Sequence, residues 1–138
     1  MSSLDAFDAD VLIYASQPGH PLGVRVRSLF VDAEREARPA GVGSVLLLPK
    51  LLAKPVRDEA TSEIHDLGQL LGLLELRPVD EHVARTATVL AANYRLKAAD
   101  AVHLATAVLA GADRFITNNR RDFSQEVSEI DVTYPDEL

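Results

Sequence analysis

The stretch Leu96–Phe123, LKAADAVHLATAVLAGADRFITNNRRDF, decides how the chain folds. It reads as an apolar helix, a one-glycine stop, a short strand and a polar turn. From Asp100 the apolar or small residues Ala101, Leu104, Ala105, Val108 and Leu109 recur at helical spacing, and Gly111 stands where a left-handed helix stop belongs. Arg114–Thr117 is then expected as a short buried strand, and Asn118–Asp122 as a polar turn at its C-terminal end. In an open α/β sheet, ligands bind at that edge. Asp100 by itself has two readings, an N-cap of the helix or a functional carboxylate, and the choice depends on what else reaches the same edge.

A second carboxylate does so from the other end of the chain. In LDAFDADVLIYA, Leu4–Ala15, a short strand near the N-terminus ends at Asp8 and runs into an apolar segment. Further along, QPGHP (Gln17–Pro21) is a turn with His20 expected in a surface loop. The helix after it presents Leu22, Val26, Leu29, Phe30 and Ala33 on one face, opposite Arg25, Arg27 and Glu34. Pro39–Gly41 ends that helix, Val42 begins a second strand, and Ser44 can cap the helix that follows. Ser44–Pro55 is apolar almost all round, so it belongs to the core or to an interface, and Pro49 is expected to bend it. Asp58–Leu74 reads as one helix through Ile64, Leu67, Leu70 and Leu71, with His65 toward solvent. Leu74–Leu76 alternates as a third strand, and Asp80 can cap a helix carrying Val83, Ala87, Leu90 and Ala91. Ile130–Val132 fits a last strand, and Tyr134–Leu138 a frayed or partner-facing tail.

Short strands alternating with helices indicate an α/β fold with a parallel sheet covered on both faces. At 138 residues and 47% hydrophobic content the chain is expected to form one domain over 1–138 with its own core. The absence of cysteine excludes disulfides and thiolate metal sites and suits a reducing cytoplasm. No secretory leader pattern or membrane-length apolar run is visible, so a soluble cytoplasmic protein without a membrane partner is expected. The net charge of −7, from 14 basic and 21 acidic side chains, argues against holding nucleic acid by bulk electrostatics. The same excess suits an enzyme that gathers carboxylates around cations, or a protein with a basic partner.

Three segments taken together resemble the PIN domain family and, within it, the VapC-like toxins. They are Asp8-Ala9-Asp10-Val11-Leu12-Ile13-Tyr14, Asp100-Ala101-Val102-His103-Leu104-Ala105-Thr106-Ala107, and Thr117-Asn118-Asn119-Arg120-Arg121-Asp122-Phe123. The resemblance covers nearly the whole chain. It implies a three-layer fold around a four- or five-stranded parallel sheet, and a Mg²⁺- or Mn²⁺-dependent ribonuclease that cleaves RNA, is held by a cognate antitoxin and forms homodimers. It implies Asp8 and Asp100 as metal ligands, Asn119 at the usual fourth acidic position and Asp122 just beyond, with Thr117 orienting a ligand or a phosphate. Arg120 and Arg121 are either substrate phosphate contacts or a solvated turn. Asp10 either supports Asp8 or caps the next helix. His103 is expected as a hydrogen-bonded structural residue, and Tyr14 in the core or an interface.

One position departs from the family pattern. Where a Glu usually follows six residues after Ser44, this chain has Lys50. Pointing inward, its ammonium would sit among Asp8 and Asp100 in place of a cation, implying a catalytically degenerate PIN domain that binds RNA or protein. Pointing outward, it would leave room for Glu59 or Glu63 to come closer.

Overall fold

Five strands of three or four residues set the frame of the computed structural model, which describes residues 3–138. In chain order the elements are β1 (Asp5–Phe7), α1 (Ala9–Ser16), α2 (Pro21–Arg35), β2 (Gly41–Ser44), α3 (Leu47–Arg57) and α4 (Thr61–Gly72). There follow β3 (Leu74–Arg77), α5 (Glu81–Tyr94), α6 (Ala98–Leu109), β4 (Arg114–Ile116), β5 (Asp131–Thr133) and a 3₁₀ turn at Pro135–Glu137. The sheet order is β3-β2-β1-β4-β5, every pairing parallel, so the expected sheet has five strands.

Successive side chains of a strand point to opposite faces, and the two cores follow from that. Ala6 of β1 is in register with Phe115 of β4, and both join the core beneath α5 and α6 with Leu104 and Leu90. Phe7 is in register with Ile116, and both face the other core with Leu12, Phe30, Leu47 and Leu67. At the N-terminal edge the pairing is fixed by Arg114, whose Nε and Nη2 donate to the two oxygens of Asp5 at 2.8 and 3.0 Å. Asp5 is only 7% exposed, so this fork is what permits a carboxylate there. Gly111, at φ +72°, ends α6 as its position predicts.

Several expectations are corrected. Asp58–Leu74 is not one helix: Asp58 closes α3, and Glu59 at φ +53° turns the chain before α4 begins at Thr61. Pro49 falls in the first turn of α3, where its missing N–H has no intrahelical partner, and Pro55 is the proline inside that helix. Ser44 is the last residue of β2; its hydroxyl accepts from Leu46 N at 3.1 Å, and α3 starts without a side-chain cap. The tail does not fray. Tyr134 is buried, its hydroxyl donates to Phe123 O at 2.7 Å, and Arg25 donates to Leu138 O at 2.7 Å. The apolar Val45–Leu52 segment divides, with Leu47 and Leu51 buried in the chain's own core and Leu48 40% exposed.

Among the described residues, no helix is long and apolar enough to cross a membrane.

The α1–α2 hairpin packs at backbone distance, because a Cβ at Gly23 would lie 2.0 Å from Tyr14 O. Gly23→Ala must separate the two helices and is expected to destabilise the fold by about 1–3 kcal/mol, the range for overpacking. Urea unfolding checks it: the midpoint falls, and an unchanged midpoint would show that the hairpin yields freely.

Candidate functional site

Asp8 follows β1 and is held from three sides. Its N–H donates to Ile116 O at 3.0 Å, continuing the β1–β4 pairing by one residue. Its Oδ1 accepts from Ala9 N at 2.8 Å as the cap of α1, and its Oδ2 accepts from the Thr117 hydroxyl at 2.8 Å. Thr117 is fully buried, and its Oγ1 also accepts from Asn119 N at 3.1 Å, so one hydroxyl couples Asp8 to the turn after β4. Thr117 therefore orients Asp8.

Asp10 is not the cap of α1. Its Oδ1 accepts from Val11 N at 2.7 Å and its Oδ2 from Asn118 N at 3.0 Å, tying the same turn to the start of α1. Asp100 is not a cap either: α6 begins at Ala98 with Lys97 preceding it, and Asp100 is a half-buried residue of the first turn. Its carboxylate accepts no hydrogen bond among the described residues, which leaves it free for a ligand. Asp8, Asp10, Tyr14, Lys50, Asp100, Asn118 and Asn119 all line one cavity of about 340 Å³ at the C-terminal edge of the sheet. A larger groove of about 850 Å³ runs between α1, α2 and α4 and contains none of these carboxylates.

The remaining expected residues divide. Asn119 Nδ2 donates to Asp122 Oδ2 at 2.9 Å and its Oδ1 accepts from Asp122 N at 3.3 Å, so its carboxamide is engaged within the turn. Arg120 is turned away: it pairs with Asp136 and lies 4.3 Å over the Tyr134 ring, fastening the C-terminal turn. Arg121 is exposed and makes no ion pair among the described residues. Lys50 lines the cavity yet is exposed and, among the described residues, lies within 4 Å of no carboxylate, so it neither fills the site nor leaves it. Glu59 and Glu63 do not line the cavity, and Glu63 belongs to a groove beside the α1–α2 loop.

Three residues had roles that the sequence did not disclose. His20 is the cap of α2, its Nδ1 accepting from Leu22 N and Gly23 N at 3.1 and 3.2 Å. Its ring stacks on Tyr14 at 4.2 Å and 9°, so Tyr14 is a wall of the cavity and not simply core. Proline directly after His20 was the available signal, since Pro favours the first helical position. Asn118, adjacent to Asn119, carries no signal that separates the two. His103, expected as a hydrogen-bonded structural residue, is buried, but its Nδ1 makes no hydrogen bond among the described residues, and burial holds its pKa below the ordinary value.

The electrostatics follow from crowding like charges. Burial, and then the charge of Asp8, push Asp10 from 3.8 to about 7. Burial, Asp8 and Asp122 raise Asp100, against the opposing charges of Lys50 and Lys97. Among the described residues no three His, Cys, Asp or Glu side chains form a ready-made cation cage, so this is an open pocket of unbalanced negative charge.

The comparisons with known proteins agree with this architecture. The sequence profile of the PIN domain matches residues 6–126. The chain belongs to the PIN domain family. No curated protein matches it closely in sequence. Among solved structures, a toxin–antitoxin complex from Klebsiella pneumoniae superimposes with a TM-score of 0.69 at 23% identity, over 99% of this chain and 100% of that one. VapBC2 from Rickettsia felis, bound to a DNA fragment from its promoter, gives 0.73 at 14% identity over 95% and 98%. DNA-bound VapBC from Salmonella typhimurium gives 0.70 at 16% over 97% and 99%. At these identities the likeness is one of fold, and in this PIN domain it extends along the whole chain.

The displaced Asp10 pKa has a signed consequence. The folded protein keeps the Asp10 proton up to about pH 7, whereas the unfolded chain releases it near 3.8, so the fold loses stability as pH rises between those values. Asp10→Asn is expected to flatten that part of the stability profile, and a divalent ion to lower the Asp10 midpoint. Carboxyl NMR titration with urea melts at several pH values measures both effects, and an Asp10 midpoint near 4 would contradict them.

Proposed function

We propose that this PIN domain is an endoribonuclease dependent on Mg²⁺ or Mn²⁺, the toxin half of a toxin–antitoxin pair. One observation carries the reading: Asp8 and Asp100, from opposite ends of the sequence, line the same cavity at the C-terminal sheet edge, and the charge of Asp8 raises Asp100.

The donor set fits a hard divalent cation. Carboxylate oxygens without sulfur or imidazole suit Mg²⁺ or Mn²⁺, which keep several waters and take few protein ligands. Asp8 and Asp100 would hold the ion; Asp8 is preset by Ala9 N and Thr117, whereas Asp100 is unengaged. When bound, such an ion supplies Lewis-acid activation of water and of a phosphodiester. The chain's own residues do the rest. Thr117 fixes the Asp8 carboxylate, and Asn119 fixes Asp122, whose charge adds to the negative potential at Asp100. Arg121 is exposed and makes no ion pair among the described residues, so it is available to a phosphate, whereas Arg120 is committed to Asp136 and Tyr134.

Support for an antitoxin partner comes from the fold, shared with chains solved in toxin–antitoxin complexes, and from the net charge of −7, which suits a basic segment. Leu48, exposed on α3 between half-buried Leu46 and Leu52, supports a homodimer contact. The same fold class and cysteine-free composition support a cytoplasmic site of action.

A second reading rests on Lys50, whose charge already offsets part of the repulsion on Asp100. On that reading the domain binds RNA or protein without cutting.

Asp8→Asn and Asp100→Asn are each expected to lower metal-dependent cleavage of a fluorogenic RNA at least about 100-fold, the scale of losing one preorganised electrostatic group. Parent activity equal to that of the variants would favour the binding reading. Lys50→Glu removes an ammonium and adds a hard donor beside Asp100, so Mn²⁺ affinity measured by calorimetry is expected to rise about tenfold, or ~1.4 kcal/mol. Unchanged affinity would place Lys50 outside the ion site.

A further inference from the structure

The turn after β4 carries two adjacent asparagines with opposite commitments. Asn119 spends both ends of its carboxamide on Asp122. Asn118 does not. Its backbone N–H is pinned by Asp10 Oδ2 at 3.0 Å, and its Nδ2 donates to Tyr14 Oη at a long 3.4 Å. Its Oδ1 and second amide hydrogen make no other hydrogen bond among the described residues, although the residue is half-buried in the cavity wall. A carboxamide has two donors and two acceptor sites, and Asn118 uses one of the four within the protein, so the rest of its edge is available to what enters the cavity.

The surroundings narrow what that is. The other polar side chains lining the cavity are Asp8, Asp10, Asp100, Lys50, Tyr14 and the engaged Asn119. Asp8 and Asp100 are the carboxylates assigned to the ion, both oxygens of Asp10 are taken by backbone N–H groups, and Lys50 is a mobile point charge, so Asn118 is the neutral edge left to read a base. A carboxamide presents one donor beside one acceptor in a plane, the pattern that matches the edge of an unstacked base. Orientation is preset as well. Tyr14 supplies a fixed hydroxyl because one ring face is covered by His20, and His20 is itself locked as the cap of α2. That stack occupies the Tyr14 ring as a support and leaves base reading to Asn118.

We propose that Asn118 is the specificity-determining residue of the cavity, reading the edge of one nucleobase beside the cleaved bond, with Tyr14 as its positioning residue. This rests on reading the cavity as an RNA site, which the experiment therefore tests separately. The full chain with Mn²⁺ is given a randomised single-stranded RNA pool, and cut positions are sequenced. The parent is expected to prefer one base at one position by about tenfold, within the discrimination of a bidentate contact. Asn118→Ala reduces the preference to within about twofold, and Tyr14→Phe leaves an intermediate value. Asn118→Asp, nearly the same shape, keeps the acceptor, loses the donors and moves the preference to a different base. A preference unaltered in all three variants, or none in the parent, overturns the assignment. So does a loss of Mn²⁺ affinity in Asn118→Ala by calorimetry, because the residue would then belong to the ion site. If the parent cuts nothing, fluorescence anisotropy with four homopolymeric RNA oligomers decides. Base discrimination that disappears in Asn118→Ala supports the inference while the nuclease reading fails, and equal binding of all four by the parent overturns it.

Discussion

The parallel pairing of β1 with β4 is the constraint on which the rest of this molecule depends. It joins segments 109 positions apart at both ends of one short register, through Asp5–Arg114 at one edge and Asp8–Thr117 at the other. The first is an ion pair whose carboxylate is nearly inaccessible, and it is satisfied by both oxygens. The second is a hydrogen bond from a buried hydroxyl to a carboxylate that lines the cavity. Because each strand has only three residues, a slip of one position would exchange Phe7 with Ala6 on the two cores and carry Asp8 away from Thr117 at the same time. Core packing and site geometry are therefore enforced by the same register.

What is enforced opposes stability at one end. The charge of Asp8 raises both Asp10 and Asp100, and of these three only Asp8 and Asp10 receive hydrogen bonds among the described residues. The fold tolerates this because the cost is local and the two cores on either side of the sheet are large. Conflict between local electrostatics and global packing marks a site kept for a task, since a stability-optimised edge would have neutral residues there. Lys50 moderates the conflict without ending it. Its charge acts on Asp100 through space, with no ion pair among the described residues, and its ammonium is exposed on a flexible stem.

The strands and the apolar helix faces were legible because burial imposes a period, and Ala6/Phe115 against Phe7/Ile116 shows it over as few as two residues. Asp8 and Asp100 line one cavity because Asp8 ends the β1 register and Asp100 opens the helix that runs back to the start of β4. What remained hidden has a common cause, in that it depends on contacts without any local pattern. Asp58–Leu74 carries an unbroken helical period, yet the chain turns at Glu59, a residue with no special propensity for φ +53°. Pro49 suggested a bend because its place in the helix was unknown; two residues after the start of α3, it is harmless. Arg120 looked like a substrate contact beside Asn119, and only the docking of Tyr134 and Asp136 against it shows where it is spent.

The same limit explains the two asparagines. In sequence Asn118 and Asn119 are equivalent, and the resemblance singles out the second. In three dimensions the alternation of the chain leaving β4 turns them to different tasks, Asn119 inward to close the turn on Asp122 and Asn118 sideways toward α1. Asp10 decides the difference, because its carboxylate takes the Asn118 N–H and so fixes where that side chain begins. Asp10, expected either to support Asp8 or to cap the next helix, thus contributes chiefly by holding a neutral neighbour, and the cavity acquires an uncharged edge next to a charged one. On the proposed reading, carboxylates on one wall hold a cation and a carboxamide on the next discriminates among uncharged groups, so holding and reading fall to different elements around one cavity.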